Sequence, residues 1–262
     1  MFAKILPTYM KTSLYKFLLL VAVLLTLHAC KKDDDNAVAD DRAENLLGLG
    51  ESAEDILSDD IYRTLVVELV YSTGFRPEQQ TIDNFRTFLN QRVNKPGGIQ
   101  FIETVIPAPE GAPYTTQEIR EIEGANRTHY TNEDEIAVYV FFANGNASGD
   151  TASTVTLGTA YRNTSIVIYQ ETLQSLDVDR FLVEATTLRH EFGHLLGLVN
   201  IVNDDIHPTD HEDPDNNKHC VVEDCLMFFA STIPSTIPNP TDEDIPKLDP
   251  LCLEDLRAKG GK

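Results

Sequence analysis

His190, Glu191 and His194 stand in the stretch RHEFGHLLGLVN, residues 189–200. Two histidines four apart on a helix project from one face, one turn apart, and imidazoles so placed can share a metal ion. Glu191 follows the first histidine directly, near enough to reach a water on that metal without binding the metal itself. Zinc in such a place lowers the pKa of the water, and the carboxylate takes the proton. The chemistry on offer is metal-assisted hydrolysis, with His190 and His194 as ligands and Glu191 as general base. Histidines that merely hydrogen-bond at a surface would give the same letters, but the match also sits late in a long amphipathic helical pattern, which makes it informative.

A catalytic zinc keeps three protein ligands and leaves a fourth position for water. Two ligands are in hand, so the third must come from downstream. Position 200 is Asn, and a neutral amide oxygen is a weak zinc ligand. His219 and His211 are the leading candidates, with His207 and Asp210 behind them. Glu212 or Glu223 would need a second helix, and the run Asp-Pro-Asp-Asn-Asn after Glu212 argues against one there. Asp204, Asp205, Asp213 and Asp215 offer oxygen ligands suited to calcium, although an acidic loop is more often only solvated.

The string HEFGHLLGLVN resembles the metzincin clan of zinc peptidases, in which the helix ends at a glycine and the chain turns back to deliver a third histidine. Gly197 has the freedom for that left-handed turn. Further on, KHCVVEDCLMFF resembles the downstream part of the archaemetzincin signature, His219-Cys220 followed by Cys225 and Met227 at the same spacing. The resemblance implies a third ligand, His219, separated from the glycine turn by an insertion at residues 201–218, with His211 as the alternative. It also implies a Met-turn at Met227 beneath the metal. Archaemetzincins carry a further cysteine pair that helps hold a second zinc. Only Cys252 stands downstream here, so one zinc ion is expected, with Cys220 and Cys225 joined as a disulfide. Phe229 occupies a position where several metzincins place a tyrosine.

The elements that must position these residues are legible in outline. A β-rich run, YRTLVVELVYSTG, is bounded by Gly74 and Pro77 and reads as a buried strand. Ile82, Phe85, Phe88 and Leu89 then recur at helical spacing up to NKPGG. IQFIETVIP is a second strand, and YTTQEIREIEGANR a second helix capped at Thr115 or Thr116, with Glu118 placed for a capping box. EIAVYVFFANG is the clearest buried strand. VTLGTAYRNTSIVIYQETL holds one or two more, with Gly158 as a bulge. The long helix opens at Asp177 or Asp179 and carries an apolar stripe of Phe181, Ala185, Leu188, Phe192 and Leu195. This order predicts an α+β domain of zincin or metzincin-like type, with a mostly parallel twisted sheet, a long active-site helix and a loop-rich C-terminal part.

The N-terminus is set aside from the fold. Lysines, an apolar run from Phe17 to Leu27 and a small residue before Cys30 read as an export signal over residues 1–29, the run being shorter than the about 20 residues of a membrane span. LHAC resembles a bacterial lipobox, which would make Cys30 the lipidated first residue of the mature chain. KKDDD after it looks like a signal for the outer face of a Gram-negative outer membrane. The expectation is an exported, surface-displayed lipoprotein touching membrane only through that anchor. Residues 30–60 are acidic and poor in aromatics, and predict a flexible tether to a domain at 61–262. The formal charge of −21 argues against nucleic acid and anionic lipid surfaces as partners. A protein or peptide substrate fits the peptidase resemblance.

Overall fold

The computed structural model describes residues 42–202, 206–207, 211–230 and 237–262. The signal segment, Cys30, Asp204, Asp205 and Asp210 lie outside the described residues.

Five strands form one sheet in the order β2-β1-β3-β5-β4. They are β1 (Thr64–Ser72), β2 (Gly98–Ile106), β3 (Glu135–Phe142), β4 (Gly158–Arg162) and β5 (Ser165–Ile168). β1 pairs in parallel with both β2 and β3, and β3 in parallel with β5. Only β4, at the edge, runs antiparallel. The mostly parallel sheet expected from the alternation of strands and helices is therefore present. Its strands obey a period of two: Val138, Val140 and Phe142 of β3 join one core, while Tyr139 and Phe141 join the other.

The first core holds α1 (Ala53–Leu57), α2 (Gln79–Arg92), α5 (Arg180–Leu195) and the C-terminal α6 (Pro250–Ala258). The second lies under α3 (Thr116–Asn126), with Ile119 fully buried. A further short helix, α4 (Gln170–Ser175), precedes α5. The capping box of α3 forms as its sequence predicts, Thr115 accepting from the Glu118 amide and Glu118 accepting from the Thr115 amide. Of the two candidate caps for α5, Asp179 is the one used, its carboxylate accepting from the Leu182 amide at 3.1 Å. Phe192 meets Phe85 edge-on at 5.2 Å between ring centres, locking α5 to α2.

Two expectations change. Residues 42–60, read as the end of a tether, pack onto the domain instead. Ile56 and Leu57 are fully buried, and the Asn45 amide donates to Thr131, the Ala137 carbonyl and Thr164. Few apolar side chains suffice here because the polar ones are satisfied by the sheet's end. Gly158 is the first residue of β4 and not a bulge; the irregularity falls between Ala160 and Arg162. The described residues after Leu198 are loop-dominated as expected, apart from a 3-10 turn at Asp242–Asp244 and α6. No helix among the described residues is long and apolar enough to cross a membrane.

Candidate metal centre

The last turns of α5 bring His190 and His194 to one face, their ring centres 4.9 Å apart. The ring of His219 completes a nearly equilateral triangle, 5.2 Å from each of the other two. One ring nitrogen from each lies within 4.8 Å of the others. Burial drives His190 down to about 4 and His194 well below its ordinary range, so both imidazoles are neutral and competent to ligate near pH 7. The His190 Nδ1 lies 2.8 Å from the Leu226 carbonyl. A carbonyl there fixes the tautomer, holding the proton on Nδ1 and leaving Nε2 with its lone pair.

The turn that delivers His219 is built from the insertion. Gly197 has φ +70°, as the sequence predicts, and Val199 and Asn200 follow with φ 56° and 57°. The chain then leaves and comes back to the same place. The Asn200 carbonyl accepts from Lys218 Nζ, so residue 218 returns beside residue 200 and His219 follows. The Asn200 side chain reaches Glu212, whose other carboxylate oxygen accepts the Lys218 amide at 2.6 Å. Glu212 thus closes the base of the insertion and stands apart from the imidazole triangle. Asp213 accepts from the Asp215 amide and the Asn216 side chain, and organises the tight turn that precedes His219.

Glu191 is buried beside the triangle. Its Oε2 accepts the Ala160 amide of β4 at 2.8 Å, which pins the carboxylate between helix and edge strand. Loss of hydration raises its pKa to about 7, against the pull of that amide. Gly158 makes room for it: a Cβ at 158 would stand 2.6 Å from Glu191 Cγ. A cleft of about 660 Å³ opens here, lined by Gly158, Glu191, His190, His219, Leu176 and Phe229. Beneath the triangle, Met227 is fully buried, and a Cβ at Gly193 would meet its Sδ at 2.3 Å. Met227 therefore sits directly against the helix turn that carries His194.

The alternative third ligand, His211, goes elsewhere. It joins His207 and Asp255 in a separate group. The structure also corrects the expected disulfide, because Cys220, Cys225 and Cys252 are all free thiols. Their sulfurs converge, Cys225 Sγ lying 3.8 Å from Cys252 Sγ, and the Asp249 carboxylate completes a four-residue group within 4.8 Å. Asp249 is also the N-cap of α6, accepting the Cys252 amide at 2.7 Å. Hydrogen bonds from Cys220 and Cys252 hold the Cys225 thiol far below its usual range. Sequence reading missed this group because Cys252 appeared alone; Asp249, three residues before it at a helix start, was the available signal.

No family model matches the chain, and no curated protein matches its sequence. Among solved structures, the archaemetzincin of Methanopyrus kandleri is similar over 75% of this chain and 96% of that one, with 20% identity and a TM-score of 0.48.

Proposed function

We propose that the protein is a zinc-dependent peptidase of the metzincin type. The observation that carries this reading is the triangle of His190, His194 and His219, with the buried carboxylate of Glu191 beside it in an open cleft. The donor set fits zinc: three imidazoles converge, those of His190 and His194 kept neutral by burial, and the buried Nδ1 of His194 has no hydrogen-bond partner. The group holds three donors among the described residues, which is the ligand count of a catalytic site and not of a closed structural one. That favours an enzyme over a lipoprotein that only binds.

Bound there, zinc supplies Lewis acidity, making water acidic and a carbonyl electrophilic. The chain's own residues do the rest. Ala160 holds Glu191 by Oε2, leaving Oε1 to take the proton from the attacking water and return it to the leaving amine. β4 is the edge strand of the sheet and meets the cleft at Gly158, where the strand and the residues before it would offer backbone groups to an extended substrate by strand addition. Burial of the Met227 side chain under α5 holds the histidine-bearing turn in place. The Cys220, Cys225, Cys252 and Asp249 group suits a second, closed zinc site whose role is structural, in place of the single ion that the sequence resemblance implied. Export as a surface lipoprotein through Cys30 belongs to the same proposal, and a mature chain beginning with lipidated Cys30 in mass spectrometry supports it.

The decisive experiment is Glu191→Gln. The variant keeps its zinc by elemental analysis, while peptide cleavage falls at least about a hundredfold, the lower range for loss of a general base. Hydrolysis at the wild-type rate in the zinc-loaded variant would refute the assignment.

A further inference from the structure

A third cluster lies outside both groups already described. His207 and His211 come from the insertion, and Asp255 from α6. His207 Nε2 is 3.1 Å from Asp255 Oδ1, and His211 Nε2 is 3.4 Å from Asp255 Oδ2. The two rings cross nearly at right angles, with centres 5.1 Å apart. All three offer a ligand atom within 4.8 Å of one another. His211 is 2% exposed and Asp255 4%, so the cluster is walled off from solvent.

We infer that His207, His211 and Asp255 form a further binding site for a divalent first-row transition metal, distinct from the imidazole triangle and from the thiol group. Nitrogen and oxygen ligands at about 2.0–2.1 Å from a tetrahedral ion stand about 3.3 Å from each other. The two nitrogen–oxygen separations match that spacing. Two imidazoles with one carboxylate are ligands that zinc and its neighbours accept. A buried carboxylate is more stable with a positive charge beside it, and a divalent ion would supply one. Without an ion, His207 Nε2 gives its hydrogen to the Leu251 carbonyl at 3.2 Å, so a metal bound at that nitrogen takes the place of this proton. The chain's charge of −21 raises the local concentration of any cation. Cys252 Sγ is 3.7 Å from His211 Nε2, so this site shares a wall with the thiol group. An ion there ties the insertion to α6 and holds the arm that carries His219.

The test uses the full chain loaded with zinc and freed of excess. His207→Gln and His211→Gln each carry one zinc fewer per chain than wild type, with unchanged circular dichroism. His190→Ala removes a different ion, so the double variant with His207→Gln carries two fewer. This loss is independent of peptidase activity, and the site stands even if Glu191→Gln still cleaves. In crystals of the wild type, an anomalous map at the zinc edge shows a peak about 2.1 Å from both histidine nitrogens and an Asp255 oxygen. Equal zinc in folded His207→Gln and wild type overturns the site. So does a map with no peak among the three residues, which decides the matter should the variants fail to fold.

Discussion

Two glycines set the chemistry of the site by what they leave out. At Gly193 a methyl group would stand 2.3 Å from Met227 Sδ and 3.0 Å from its Cε. Gly193→Ala therefore pushes Met227 from beneath the turn that carries His194, overpacking that costs about 1–3 kcal/mol. Chemical denaturation should show that loss, and zinc should bind more weakly as well. At Gly158 a methyl group meets Glu191 Cγ at 2.6 Å and Thr187 Cγ2 at 3.0 Å. The imidazoles are untouched there, so Gly158→Ala keeps its zinc. Glu191 is displaced, and misplacing a catalytic group by about 1 Å can lower a rate by about a hundredfold. Steady-state kinetics should find the fall in kcat, with metal content unchanged; the reverse pattern would mean that Gly158 serves the metal and not the base.

At the scale of elements, the join between α1 and the sheet depends on one buried cation. Lys95 Nζ donates to the carbonyls of Asp55 and Tyr62, each at 2.6 Å, and to that of Ser58. Burial lowers its pKa from 10.5 to about 8. Between those values the unfolded chain holds more protons than the folded one, so this residue's contribution makes the protein more stable as pH rises from about 8 to 10.5. Lys95→Met lacks that dependence, and it also leaves three carbonyls without their donor. Urea midpoints for the two proteins should separate further as pH climbs through this window; parallel curves would show that Lys95 titrates normally. The packing of residues 42–60 that Lys95 helps secure was not legible in the sequence, because acidic composition hid the few apolar anchors, Ile56 and Leu57 among them. Local signals did well where they were local. The period of α5, the Asp179 cap, the His190–His194 spacing and the Gly197 turn all lie within a few residues of one another. Convergence over distance left no such mark. Asp249 and Cys252 meet Cys220 and Cys225, and Asp255 meets His207 and His211, only because the insertion and the segment after it fold back on α6. That helix carried legible start signals in Asp249 and Pro250, the cap and the first-turn proline.

The molecule as a whole divides by what holds it. The sheet with α2, α3 and α5 is secured by two apolar cores, whereas the described residues beyond Leu198 have little regular structure until α6. Leu226, Met227, Leu248 and Leu256 anchor that second part in the first core, and clustered donor groups add to this: His219 against α5, three thiols and Asp249 at the start of α6, and His207 and His211 on Asp255. Metal bound only by the folded state stabilises it by about 4 kcal/mol at a thousandfold excess over Kd. For a domain of this size that corresponds to roughly 8–16 °C in Tm. Stripping zinc with a chelator should therefore lower Tm by about ten degrees if one of the proposed sites is filled, and by more if several are. The loss is also expected to be uneven. Limited proteolysis of the stripped protein should cut within residues 199–230 first, while amides of β1 and β3 keep their protection against hydrogen exchange. Readdition of zinc should restore both. A chelated protein that melts with the wild type, uncut in that region, would show that these donors are held by hydrogen bonds alone and that metal has no part in the architecture.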